Sequence, residues 1–130
     1  MHLDPECEVV AGSERFSDVE VDAVHYDVGP GNTLVIELES AQGGFAVVFD
    51  APLAIRVIDE SQVLEFWNTY SAPNGWLWRV LKGGWVDLES ERSGFGCVSP
   101  ARPILEYLIV GDQCVFVMTT TPPSFRTSAG

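Results

Sequence analysis

Between Asp18 and Asp27 the chain reads DVEVDAVHYD, its densest run of groups that could bind or transfer charge. Asp18, Glu20 and Asp22 alternate with Val19 and Val21. Carboxylates two apart on a strand share a face at roughly 7 Å. That spacing suits a calcium ion or a basic partner. The apolar phase then slips, from Val19, Val21 and Ala23 on odd positions to Val24, Tyr26 and Val28 on even ones. A bulge near Ala23 restores one inner face and turns Asp18, Glu20, Asp22, His25 and Asp27 outward. An EF-hand loop would need D-x-[DN]-x-[DN]-G with a distal Glu, and that pattern is absent. No metal is expected here. The plain reading is a solvated charged face; the functional one is a surface for a basic protein.

Other chemistry is sparse. Gly29-x-Gly31 and Gly94-x-Gly96 do not open a helix and are not followed by Lys-Ser or Lys-Thr, so they are not phosphate loops. There is no G-x-S-x-G elbow, and a triad would have to recruit His25. Cys97 falls in a loop with no base nearby to activate it. Cys7, Cys97 and Cys114 are odd in number and lack C-x-x-C spacing, which argues against a disulfide framework and a zinc site. No catalytic residue, metal or cofactor is expected.

Trp76, Trp78 and Trp85 form the second candidate constellation. Trp76, Trp78 and Val80 alternate onto one strand face, and Trp85 follows a turn. Tryptophans cluster at binding hot spots, but they also fill small β cores. Core positions are expected for at least two of them, with a partner interface as the alternative.

The stretch FDAPLAIRVIDESQVLEFWNTY, residues 49–70, must position much of this. Leu53, Ile55 and Val57 alternate with Ala54, Arg56 and Ile58, so both faces are largely apolar and the strand is expected to be covered on both sides. The period then changes. Val63, Leu64, Trp67 and Tyr70 recur at helical spacing. Asp59 suits an N-cap, Gln62 can reach back as in a capping box, and Ile58 with Val63 suits a hydrophobic staple. Pro73 and Asn74-Gly75 stop the pattern. One main α-helix is predicted over about 59–71. Arg56, Asp59 and Glu60 read as a structural corner, an Arg beside helix N-terminal carboxylates.

Elsewhere the grammar is that of strands. Gly29 to Asn32 turns the chain into a strand over Thr33–Ser40, and FAVVF is the next. GWLWRVL and WVDLE read as a hairpin around Lys82-Gly83-Gly84. Arg92–Pro103 reads as a loop. Ile104–Val110 and Gln113–Thr120 form the clearest hairpin, with Gly111-Asp112 as a type II′ turn. The predicted class is α+β: mostly antiparallel β, seven to eight strands in a curved sheet or a two-sheet sandwich, with the single helix. At 130 residues one domain, 1–130, is expected. Residues 1–15 form a lead-in and the 124–130 tail frays.

The charge is uneven. Nineteen acids against seven bases give −12. Residues 1–65 hold fourteen acids and two bases, a balance of −12, while residues 66–130 hold five of each. Such a chain should repel nucleic acid and anionic membranes and attract basic proteins. No run of about 18 apolar residues could span a membrane. The start, MHLDPECEVV, has no secretory leader pattern. A cytoplasmic location with reduced cysteines is expected.

Two segments, FDAPLAIRVIDESQVLEFW and ILEYLIVGDQCVFVMTTTPPSF, together resemble a group of small acidic bacterial proteins, some of them immunity proteins paired with polymorphic toxins. Arg56, Asp59 and Glu60 carry the first likeness, an R-x-x-D-E corner leading into a helix. Glu106, Tyr107, Ile109, Asp112, Cys114, Val115 and Val117 carry the second, a late hairpin ending in prolines. The resemblance implies a non-catalytic inhibitor and carries over no active-site residue. Three functions follow. One is a cytoplasmic binding protein, an immunity-type inhibitor of a basic toxin or partner. The second is a small-molecule-binding or enzymatic β domain with a Trp-lined pocket. The third is a structural subunit of an assembly.

Overall fold

The computed structural model describes residues 5–66, 75–95 and 103–127. Strict alternation builds its simplest strand, β3 (Thr33–Glu39), in which Leu34, Ile36 and Leu38 are buried and Glu37 and Glu39 exposed. β3 pairs with β2 (Glu20–Asp27) on one side and β4 (Phe45–Asp50) on the other, and β9 (Ser124–Thr127) pairs with β4. All three pairings are antiparallel, giving a four-stranded sheet in the order β2-β3-β4-β9. The register between β2 and β3 shifts between Val21 and Ala23, so the phase slip in the sequence is a bulge.

The second sheet has five antiparallel strands: β1 (Glu6–Val9), β6 (Leu77–Lys82), β7 (Leu105–Ile109), β8 (Gln113–Thr119) and β5 (Ala54–Asp59), in that spatial order. Its inner face meets the four-stranded sheet. Leu77, Tyr107, Ile109, Val115 and Val117 pack there against Leu34, Ile36, Leu38, Phe45, Val47 and Phe49. The turn after β7 comes up against β2. A Cβ at Gly111 would stand 3.3 Å from Val21 Cγ2, a tight contact that glycine relieves.

The outer face of the five-stranded sheet is covered over its central strands, but at the edge strand β5 Val57 stays 48% exposed, so the cover expected on both sides of that strand is not found. Trp78, Val80, Leu108, Val110, Cys114 and Phe116 form a second buried cluster under Val63 and Phe66. Burial on both faces explains why LEYLIV and QCVFVMT read as nearly unbroken apolar runs.

Of the two predicted architectures the two-sheet sandwich is the one found, with nine strands among the described residues rather than seven or eight. The lead-in and tail are wrong in part. Residues 6–9 pair with β6, and residues 124–127 with β4. Short edge strands such as these carry too few residues for periodicity to reveal them.

The single helix over 59–71 is not found. Two 3-10 turns, Glu60–Gln62 and Leu64–Phe66, stand in its described part, and the remainder, with Trp67 and Tyr70, lies outside the described residues. The cap is nevertheless made: Asp59 Oδ1 accepts the Ser61 amide at 2.9 Å and its hydroxyl at 2.7 Å. Val63 then leaves helical geometry at φ −133° and ψ 48°. That kink lets Val63 and Phe66 both enter the second cluster. Burial of two apolar side chains outweighs a short helix whose own propensity is small.

The segment read as the second strand of a hairpin is also different. Trp85–Glu89 forms a short helix, α1. Gly83 (φ 74°) turns the chain, and its amide donates to Asp87 Oδ2 at 2.6 Å. The first free amides of α1 are met by Glu106 of β7, through Trp85 N–H to Oε2 at 2.9 Å and Val86 N–H to Oε1 at 2.7 Å. A strand five residues long cannot announce such a helix cap from twenty residues away.

Candidate partner-binding surface

The acidic stripe sits on the outer face and edge of β2, but the fold divides it. Glu20 lies directly opposite Glu39 on β3, a like-charge cross-strand pair that costs stability. His25 Nε2 meets Glu37 Oε2 at 3.0 Å, an exposed contact. Asp22, at the bulge, joins Glu37 and Glu39 around a shallow groove of about 340 Å³ floored by Val35 and Ala46. Arg126 of β9 is the one base lining that groove among the described residues. Asp27 is used locally: its Oδ1 accepts the Gly29 amide at 2.9 Å and tightens the β2–β3 turn.

Asp18 and Glu20 stand at the entry to the strand. They line a larger groove of about 690 Å³ together with Glu14, Phe16, Val9 and Trp76. Asp18 holds a left-handed backbone (φ 53°), which bends the chain into β2. The structure thus brings one member of the tryptophan set beside two members of the acidic set.

The tryptophans do not form one surface. Trp76 belongs to the core between the sheets and Trp78 to the cluster on the opposite face; each is 6% exposed. The expectation that they share a face fails because β6 begins only at Leu77, so Trp76 sits in a bend outside the alternation. Each indole N–H is satisfied: Trp76 to Ser13 O at 2.7 Å, Trp78 to Gly75 O at 3.2 Å, Trp85 to Glu89 Oε1 at 3.3 Å. As partner contacts, Trp76 and Trp78 offer little area. Trp85 is half-buried at the rim of the second cluster.

The predicted corner is assembled otherwise. Arg56 lies over the rings of Phe116 at 4.3 Å and Trp85 at 5.1 Å, a stacked cation, and its buried Nε–H has no hydrogen-bond partner. Burial lowers its pKa, opposed by the charges of Glu106, Glu65 and Glu89. Asp59 spends its carboxylate on Ser61 and Gln113, and those hydrogen bonds hold its pKa low. Glu60 instead joins the turn after β7, its amide donating to Asp112 O at 3.1 Å.

Sequence reasoning missed Glu106, which is only 3% exposed. Burial raises its pKa, although the Val86 and Trp85 amides and Arg56 act against the shift. Its signal was present: a lone carboxylate inside LEYLIV, on a strand that is apolar on both faces, must have a partner.

Neither described cysteine is an activated nucleophile. Burial, with Glu106 and Glu6 nearby, pushes the Cys7 thiol up to about 12, and burial raises Cys114 also. Cys97 lies outside the described residues. Among the described residues no group of three or more His, Cys, Asp or Glu side chains is disposed to hold a metal ion. Nor is any helix among them long and apolar enough to cross a membrane. Compared with family models, curated proteins and solved structures, the chain matches none.

Proposed function

We propose that this chain is a non-catalytic binding protein that holds a partner protein by a basic surface, as an immunity protein holds its toxin. The observation that carries this reading is the Glu20–Glu39 pairing, flanked by Asp22, Glu37 and Asp18. A free protein with like charges set opposite one another gives up stability. A basic partner placed over them recovers it and gains attraction. Location in a reducing compartment such as the cytoplasm accords with Cys7 and Cys114, which are free thiols.

The test begins with recovery of the partner by pull-down and continues with association kinetics over a range of salt. Complementary charge raises association rate more than residence time, and salt screens it over about 8 Å at physiological ionic strength. Asp18→Asn, Glu20→Gln and Asp22→Asn together should slow association several-fold and flatten its salt dependence. Wild-type association that ignores salt would overturn the reading.

A small-molecule reading has one observation in its favour, the groove beside Trp76, whose volume falls in the range of ligand sites. Its rim is acidic and open, which suits a charged side chain of a protein better than an enclosed ligand.

A further inference from the structure

We infer that β5 pairs edge to edge and antiparallel with β5 of a second copy of this chain. The inference is independent of the basic-partner reading above. Among the described residues four strands stand at sheet edges, β1 and β5 in one sheet and β2 and β9 in the other. Three of them are blunted in the ways that keep edges apart. β1 and β9 have four residues each, and β1 also shifts register between Glu6 and Cys7. β2 carries the bulge at Val21–Ala23 and the exposed carboxylates of Glu20, Asp22 and Asp27. β5 has six residues and pairs with β8 without a shift, and no described strand takes its other side.

Charge does not guard this edge either. Arg56 lies mid-strand, but its guanidinium is drawn back over the rings of Phe116 and Trp85. Asp59 closes the strand with its carboxylate spent on Ser61 and Gln113.

What the edge presents is apolar and self-complementary. Val57 is 48% exposed, and Leu53, directly before the strand, is 50% exposed. Ile55 and Val57 stand opposite Val117 and Val115 of β8, on the face turned to the other sheet. The Leu53 amide still donates to Met118 O at 2.7 Å, so the chain follows β8 there. Two copies related by a two-fold axis perpendicular to the sheet keep like face with like face, and each contact occurs twice. With the axis at Ile55, exposed Leu53 of one copy falls opposite exposed Val57 of the second, and Ile55 meets Ile55. Arg56 then falls opposite Ala54, so no like charges are opposed. The neighbouring registers fit worse. An axis at Arg56 sets the two guanidinium groups opposite one another, and an axis at Val57 sets Ile55 against Asp59.

Net charge sets the conditions. Each copy carries −12, so two copies repel, and salt screens that repulsion. Salt therefore strengthens this contact, whereas it weakens attachment of a basic partner. So short an edge buries less than a standard interface, and the dissociation constant should be on the order of 0.1–1 mM.

The experiment is sedimentation velocity on the full chain over a concentration series at low and high salt, with far-ultraviolet circular dichroism to show that each variant is folded. The average mass should rise with concentration, and rise further at high salt. Val57→Lys should weaken dimerisation about ten-fold or more by placing a charge on the edge. Val28→Lys, at an equally solvent-facing valine after β2, should not. Register is read by mild oxidation in a Cys97→Ser background. A mixture of Leu53→Cys and Val57→Cys chains should form the mixed disulfide faster than either chain cross-links with itself. A monomer at every concentration and salt, a dimer indifferent to Val57→Lys, or a dimer weakened by salt would overturn the β5 contact, and none of these results bears on the basic-partner reading. Faster self-cross-linking of Val57→Cys would overturn the register at Ile55.

Discussion

Glu106 of β7 caps a helix that begins twenty-one residues before it, accepting the Trp85 amide at 2.9 Å with one carboxylate oxygen while the other takes Val86. The contact joins α1 to the centre of the five-stranded sheet. It also places a charge where water is nearly excluded, so the same residue that ties the helix down responds to pH.

The folded pKa of Glu106 lies above its unfolded value, so the folded state binds the proton more tightly. Stability from this group is greatest when the carboxyl is protonated, declines as pH rises from the ordinary carboxylate range through the raised value, and then levels off. Denaturant unfolding at a series of pH values should show wild type losing stability relative to Glu106→Gln across that window. Parallel curves for the two proteins would show that Glu106 does not titrate differently on folding.

Gly84 makes room for that carboxylate. An added Cβ would lie 2.5 Å from Glu106 Oε2 and 2.6 Å from Val80 Cγ1. Gly84→Ala should cost about 1–3 kcal/mol, the usual penalty of overpacking. Combined with Glu106→Ala the two effects should sum to less than their separate costs, because the clash with Oε2 disappears with the carboxylate and only that with Val80 remains. Strict additivity in a double-mutant cycle would place the strain elsewhere.

Glu20→Lys sets opposite charges across the β2–β3 ladder at Glu39. The free protein should gain ~0.5 kcal/mol, read as a higher midpoint in denaturant. Association with the basic partner should slow in the same variant. A gain in stability with unchanged association would remove Glu20 from the binding surface.

With the Cys7 thiol at about 12, the thiolate is about one part in ten thousand at pH 8. Iodoacetamide at that pH should leave Cys7 and Cys114 unmodified in the native protein and alkylate both in denaturant. Peptide mass spectrometry reads each site separately, and rapid native modification of Cys7 would contradict its burial.

Legibility in the sequence followed length and one-sidedness. β3 was visible because every residue obeys one period, and the β7–β8 hairpin because two apolar runs flank a Gly-Asp turn, although Gly111 lacks the positive φ of the expected type II′ turn. The bulge at Val21–Ala23 was visible because it breaks that period in a countable way. What failed depended on distant neighbours. The Asp59 cap is real, but Val63 and Phe66 find more burial in a broken turn than along a helix. α1 exists because Glu106 meets its amides, and β1 and β9 exist because longer strands give them an edge. The acidic stripe was legible as composition. Its division between two grooves was not, since it depends on where Trp76 and β3 come to lie.

The central strands of the five-stranded sheet are covered on both faces, whereas Glu20, Glu37 and Glu39 of the other sheet stand in solvent. A substitution at Phe116 or Leu108 must satisfy many close neighbours at once, but one at Glu20 or Glu39 answers to little besides what lands on it. On the basic-partner proposal, the chain separates the residues that keep it folded from those that choose its company. A lineage under pressure from a changing partner could rewrite the second set repeatedly, and each rewrite would leave the first set untouched.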